Sequence, residues 1–482
     1  MYESVIGLEI HAQLQTASKL FCGCSTAWAV SPNTQTCPVC LGLPGALPVL
    51  NGRAVNLAVL AAVALECRVQ RESVFARKNY FYPDLPKGYQ ITQFDRPLAL
   101  DGRLQWIEDG LSRQVRIVRV HIEEDAGKSF HEGSAEADRV TCLDFNRSGL
   151  PLIEIVTAPD LRSAHDAAEC FRRLRALLVA AGVSEGNLEQ GNLRCDANVS
   201  VRVLGDATLG SRTEIKNLNS YRFLERALQH EIDRQIHVIS HGGTVETETR
   251  LWDERAGETV TMRTKEDAHD YRYFPEPDLP PLVTSDEAID TAREAMPTLP
   301  DALREPLASR YGLAGDDLDF LTGSPGLAAF FEQTVAGGAD AGAAAMWIKG
   351  ELARRLHESG CPIEALKVTP ASLARLIAMV SSGALSNSAA KQVLARMFST
   401  GETPDAAAAA EHLAQESDID ALGRLVDEVL ANYPDQAAQF RAGRVGVAGF
   451  LVGHVMKASG GRANPRLVDS LVRARLAGAE PS

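Results

Sequence analysis

Nowhere in this 482-residue sequence do apolar residues run unbroken for the ~18 positions that a membrane-spanning helix needs, and the opening MYESVIGLEIH has neither a basic nor an apolar leader region. Neither membrane insertion nor secretion is therefore expected, and the cytoplasm is the expected compartment. Positive charge is in short supply: 49 Lys and Arg face 63 Asp and Glu, and the formal charge of -14 opposes non-specific attraction to phosphate backbones. A complete phosphate-binding P-loop is missing too. Asp125-Ala-Gly-Lys-Ser129 resembles the end of one, but Ile122 stands where its first glycine belongs. The amides and Lys128 of this segment can still meet phosphate, or the segment simply ends a strand. Internal repeats are absent.

What is present is ordinary globular material. Hydrophobic residues make up 45% and charged residues 23%, enough apolar surface to fold and too long a chain for one core. Up to about residue 290 the pattern is α+β. VRIVRVHIEE and LIEIVT read as strands of an antiparallel sheet, and Ser163 to Ala181 and Ser220 to Ser240 as amphipathic helices with serine N-caps. The four prolines between Tyr273 and Val283 predict a linker just beyond them. The remainder, rich in Ala, Leu and Arg, reads as helical, with a second break at Phe398 to Pro404 and a glycine-rich turn, SGGRANP, near the end. The expected domains are 1–292, 293–403 and 404–482. From Gln436 onward seven basic residues (Arg441, Arg444, Lys457, Arg462, Arg466, Arg473, Arg475) oppose Asp469 and Glu480, which suits RNA docking and equally a solvated helical face.

Nine cysteines, an odd number, without an export signal favour reduced thiols and metal ligation over disulfides. Cys22-Gly-Cys24 and, after twelve residues, Cys37-Pro-Val-Cys40 supply two close pairs of soft ligands, the requirement of a tetrahedral Zn2+ site. Four thiolates close the coordination shell, so this zinc is expected to be structural. Cys67, Cys142, Cys170, Cys195 and Cys361 lack ligand spacing and are expected as buried small hydrophobes.

Acids recur in strand-like segments. Alternation puts Glu9 and His11 on one face, and His121-Ile-Glu123-Glu124-Asp125, Glu154, Asp196 and Glu214 lie in similar stretches. If these strands converge they can hold Mg2+ and its phosphate oxygens; singly, each acid is as well explained by an ion pair. Arg77-Lys-Asn-Tyr-Phe-Tyr-Pro83 with Lys87-Gly-Tyr-Gln90, and Asp270-Tyr-Arg-Tyr-Phe274 beyond, alternate cations with aromatics, suiting base stacking and phosphate pairing or an aromatic strand in the core.

Taken together, VIGLEIHAQL, RKNYFYPDLPKGYQ, HIEEDAGKS, DFNRSGLPLIEIV, LRCDANVSV, EIKNLNS, DYRYFPEPD and GFLVGHVMKAS resemble the B subunits of aspartyl/glutamyl-tRNA amidotransferases, from Val5 to about Leu476. The resemblance implies a cradle-shaped α+β domain, a helical domain and a small helical tail that contacts tRNA. It implies a chemistry as well: ATP and Mg2+ phosphorylate the side-chain carboxylate of Glu or Asp mischarged on tRNA(Gln) or tRNA(Asn), and ammonia from glutamine hydrolysed in the amidase (A) subunit displaces phosphate, a small C subunit making up the heterotrimer. By this resemblance Glu9, His11, Glu124, Asp196, Glu214 and Lys78 build the catalytic site, with Glu9, His11, Glu124 and Glu214 on Mg2+, and Lys78, Tyr80, Tyr82 and Arg147 stand beside the acceptor end. The four-cysteine cluster occurs in only some members. No glycine- and serine-rich amidase signature or Cys-His glutaminase set appears here, so glutamine hydrolysis is assigned to another chain. Two rivals remain: a non-catalytic zinc-containing tRNA adaptor, and a metal-dependent phosphotransferase that needs no partner.

Overall fold

A computed structural model of the protein describes residues 1–28, 30–108, 111–130, 140–264, 271–359, 361, 363–411, 419–459 and 463–477. Asp270, Glu480 and residues 460–462 of the SGGRANP turn, Arg462 among them, lie outside these residues. The chain divides into two compact units, Met1–Leu303 and Arg304–Ser482. Among the described residues no helix is long and apolar enough to cross a membrane.

The first unit is built on a nine-stranded sheet in the order Glu258–Thr264, Glu248–Asp253, Thr213–Lys216, Leu193–Val203, Tyr2–Gln13, Pro151–Thr157, Leu111–Glu124, Ala99–Glu108, Arg68–Val69. All its pairings are antiparallel except Thr213–Lys216 with Glu248–Asp253. Alternation sorts the two sides. Leu8, Ile10, Ala12, Ile122, Ile153, Ile155, Cys195 and Ala197 enter one core with the apolar faces of helices Gly52–Ala64, Ala164–Ala180 and Tyr221–Ser240. Each large aliphatic side chain buried there contributes about 1.5–3 kcal/mol.

Each helix starts where a side chain can satisfy its free amides: Asn51 accepts from Arg53 and Ala54, Ser163 from Asp166, and Ser220 from Phe223. The two helices expected from sequence are thus found, each within a residue of its expected ends.

The proline-rich run does not lead straight into a linker. Phe274–Pro275 pairs with Ala76 and Arg77, and Leu282–Val283 pairs with Glu72–Ser73, so the chain returns to the first unit before helix Asp286–Glu294. Proline lacks one amide donor, and short edge pairings tolerate that loss. Phe274–Pro275, Phe75–Asn79 and Tyr89–Gln93 form a three-stranded sheet.

The second unit is helical throughout its described residues. Its last helices gather Leu422, Val426, Leu451, Val455, Val468 and Val472 into a core of their own. Two basic residues of that segment are neutralised locally, Arg473 by Asp469 at 2.8 Å and Arg475 by Asp427 at 3.1 Å. Asp469 already stands in the count from Gln436 onward, whereas Asp427 lies before that segment and offsets one further cation.

Candidate active site

The polar side of the sheet takes its shape from register. His11 stands opposite Glu154, and Glu154 opposite His121 on the next strand, with Glu123 two residues further along. His11 Nε2 lies 3.4 Å from Glu123 Oε1 and 3.3 Å from Glu154 Oε2, and His121 Nε2 lies 3.5 and 3.3 Å from the same two carboxylates. Burial would push His11 down, but its hydrogen bonds to Glu123 and Glu154 outweigh this and raise it to about 10. Burial would raise Glu123 and Glu154, and the two imidazoles hold both well below the usual carboxylate range.

Ligand atoms of His11, Glu123 and Glu154 lie within 4.8 Å of one another, and the buried Nδ1 of His121 has no hydrogen-bond partner among the described residues. This donor set fits a divalent cation. Its carboxylates suit Mg2+, and imidazole nitrogen beside them extends the choice to Mn2+ or Zn2+.

Next to it, Glu9 faces Asp196 across the pair of strands and accepts a hydrogen bond from Asn198 Nδ2 at 2.9 Å. Burial, followed by the charges of Glu154 and Glu214, raises Glu9. Lys216 Nζ bridges Asp196 at 2.6 Å and Glu214 at 3.0 Å, and Thr249 donates to Glu214 at 2.8 Å. Burial would lower Lys216; the two carboxylates raise it instead.

Lys78 Nζ lies 4.9 Å from the ring centre of Tyr271 and 5.9 Å from that of Tyr80. Burial disfavours its charge, but Glu123 and then Tyr273 hold it above the usual lysine range. Tyr82 is 60% exposed and stands out from the unit beside Phe81, at 82%.

Glu124 departs from the sequence reading, which grouped it with His11. Successive side chains of a strand turn to opposite sides, so Glu123 meets the histidines while Glu124 pairs with Lys87 and accepts from the Ile91 amide at 2.9 Å. It faces a cavity of about 210 Å³ lined by Phe21, Cys22, Cys40, Lys87 and Gly149. Glu9, His11, Glu124 and Glu214 therefore do not converge as one ligand set. Arg147 departs too: it donates to the carbonyls of Ala126 at 3.1 Å and Gly127 at 2.7 Å and pairs with Asp125 at 3.3 Å, so its guanidinium braces a turn. In that turn the Ala126 amide is taken by Asp125 Oδ1 and the Gly127 amide by Asp84 O, leaving neither for phosphate.

The thiols of Cys22, Cys24, Cys37 and Cys40 cluster with their sulfurs within 4.8 Å, a set of four soft donors that fits Zn2+. A hydrogen bond from Cys22 holds Cys40 below the ordinary thiol range against the effect of burial. Of the other cysteines only Cys170 and Cys195 are buried. Cys67 and Cys361 are partly exposed and Cys142 is exposed, because edge strands and loops carry them.

The family model for the GatB/GatE catalytic domain matches residues 4–290, and that for the GatB domain matches 329–476. The chain is 51% identical over 475 residues to the B subunit of the aspartyl/glutamyl-tRNA(Asn/Gln) amidotransferase of Myxococcus xanthus, with 98% of each chain covered. It is 48% identical over 477 residues to the protein of that name from Geobacter sulfurreducens, covering 99% of this chain and 100% of the relative. The chain belongs to this family of amidotransferase B subunits. In this B-subunit fold the residues that meet at the site beyond the set implied by the resemblance are His121, Glu123, Glu154, Lys87 and Lys216; the first three already stand in the acidic strand segments read for Mg2+. His121 and Glu123 were within reach, because their two-residue spacing repeats that of Glu9 and His11. The partners Lys87 and Lys216 carry no such signal.

Proposed function

We propose that this chain phosphorylates, at the expense of ATP, the side-chain carboxylate of Glu or Asp mischarged on tRNA(Gln) or tRNA(Asn), and converts the product to the amide. A carboxylate oxygen attacks the γ-phosphorus and ADP leaves. Ammonia then attacks the acyl carbon, the carbon–oxygen bond to phosphate breaks, and amide and inorganic phosphate result, the hydrogen lost by nitrogen ending on phosphate. The observation that carries this reading is the convergence of His11, His121, Glu123 and Glu154 near the half-buried Lys78. Phosphoryl transfer depends on positioning and charge neutralisation more than on a protein nucleophile.

Mg2+, held by His11, Glu123 and Glu154 with Glu9 and Glu214 nearby, supplies neutralisation of the phosphate oxygens when bound. Lys78 and Tyr80 orient the acceptor end, and exposed Tyr82 offers it a stacking surface. The four cysteines hold a structural Zn2+. Ammonia comes from the amidase (A) subunit of a cytoplasmic heterotrimer whose third member is the small C subunit; residues 404–482 contact the body of the tRNA.

One observation favours the adaptor instead: the carboxylates already have protein partners, Asp196 and Glu214 in Lys216 and Glu124 in Lys87. The test is amide formation on Glu-tRNA(Gln) by the complex with the A and C subunits, supplied with ATP, Mg2+ and free ammonia. Glu123→Gln is expected to lower turnover by about 10²-fold, as removal of a transition-state contact does, with tRNA affinity unchanged. Wild-type turnover in both Glu123→Gln and His11→Ala would hand the site to the adaptor reading.

A further inference from the structure

One of the largest side chains with no solvent exposure in this protein is a lysine. Lys19 is 0% exposed, and its ammonium reaches the carbonyl of Gln35 at 2.7 Å, the carbonyl of Phe145 at 3.3 Å and Cys40 Sγ at 3.6 Å. Three acceptors match its three donors. Among the described residues it forms no ion pair with a carboxylate. A fully buried charge persists only when it is compensated, and two carbonyl dipoles are weak compensation.

The compensation lies in the cysteine cluster. Four thiolates around one divalent ion leave two negative charges on the group, and Cys40, the most buried of the four, is the ligand that Lys19 touches. The same lysine sits where the cysteine knuckle meets the Asp144–Gly149 turn. Asn33 N donates to Asp144 Oδ1 at 2.9 Å, Gln35 N to Asn146 Oδ1 at 2.8 Å, and Ser148 Oγ to Cys40 O at 3.1 Å. That turn reaches the active side of the unit, since the Gly149 amide donates to Asp125 O at 2.9 Å and Arg147 pairs with Asp125.

We infer that Lys19 is the built-in counter-cation of the four-cysteine metal site, neutralising part of its charge and fastening it to the Phe145–Gly149 turn. The inference rests on the metal reading of the four cysteines. It makes Lys19 a positioning residue: it touches neither substrate nor reacting atoms, and it acts by retaining the ion and holding the turn that braces Asp125. A partner of this kind around a metal site changes affinity by 10- to 100-fold.

The test uses the complex with the A and C subunits, loaded with Zn2+. Zinc release to a chromogenic chelator is timed for wild type, Lys19→Met, which keeps the length and removes the charge, and Ser148→Ala, which removes a contact to Cys40 and keeps the charge. Lys19→Met is expected to release zinc about tenfold faster or more, with raised amide exchange over residues 142–150, and Ser148→Ala to release it at close to the wild-type rate. A second measurement needs no variant: amine acylation of wild type followed by peptide mapping should modify Lys19 only after zinc is withdrawn. Unchanged release from Lys19→Met, or Lys19 labelling indifferent to zinc, overturns the role of Lys19 alone. A wild-type complex that takes up no zinc removes the metal reading and this inference together.

Discussion

Glu123 and Glu124 share a peptide bond and have no partner in common. Glu123 is held between two imidazoles and accepts from Thr92 Oγ1 at 3.1 Å, whereas Glu124 is held by Lys87 and the Ile91 amide. The two glutamine variants should therefore separate: Glu123→Gln acts on catalysis and metal affinity, and Glu124→Gln releases Lys87 into the cavity beside the cysteines. Equal metal affinity in both variants, measured by Mn2+ titration, would contradict this separation. Lys216 gives a second expectation at this scale. Lys216→Met leaves Asp196 and Glu214 facing each other near Glu9 and should cost about 2 kcal/mol, below the ~3–5 kcal/mol of a fully buried pair because all three side chains keep some exposure. A lowered urea midpoint at unchanged slope is the readout.

Among the elements, the helix Tyr221–Ser240 is fastened to the edge of the sheet by buried charge. Glu231, with no exposed surface, accepts from Arg234 Nη2 at 2.6 Å, Gln235 Nε2 at 2.9 Å and Thr259 Oγ1 at 2.9 Å, and Arg250 approaches at 3.4 Å. Burial would raise Glu231, but these bonds lower it from 4.5. A depressed carboxylate contributes stability that is present above the unfolded value near 4.5 and is lost as pH falls through its lower folded value. Glu231→Gln should accordingly flatten the acid limb of a stability profile below about pH 4.5, and an acid limb as steep as wild type would contradict it. Elements of this kind were legible in the sequence where a local rule governs them: Ser163 and Ser220 announced their helices, and strand alternation sorted Glu9 and His11 from Leu8 and Ile10. The exceptions have physical causes as well. A pair of adjacent glutamates does not reveal which one faces the histidines until the register with Glu154 is known. Lys87 lies 37 residues from Glu124, and Lys216 lies 20 from Asp196, so no local pattern links them. The four prolines point to a linker just beyond them, and no local rule shows that they permit the short edge pairings that carry the chain back.

For the molecule as a whole, binding an RNA against a formal charge of -14 requires local cations; with Arg473 and Arg475 in ion pairs and Arg441 donating to the Leu476 carbonyl, Arg444 and Lys457 are the tail residues chosen to test. If residues 404–482 contact tRNA, Arg444→Glu and Lys457→Glu should each weaken binding for every tRNA sequence. Each should also lower the slope of log affinity against log salt by about one, the signature of one lost phosphate contact. Slopes equal to wild type would place the contact elsewhere. The order of strands has a consequence of another kind, in time. The Tyr2–Gln13 strand lies between Leu193–Val203 and Pro151–Thr157, so both of its neighbours follow it in the chain by well over a hundred residues. As the chain leaves the ribosome, this strand waits with both hydrogen-bonding edges open, and it can pair wrongly with other chains until its own partners emerge. Its apolar side, Leu8, Ile10 and Ala12, waits uncovered as well, so yield during synthesis depends on how long that strand is shielded, a vulnerability invisible in the finished fold.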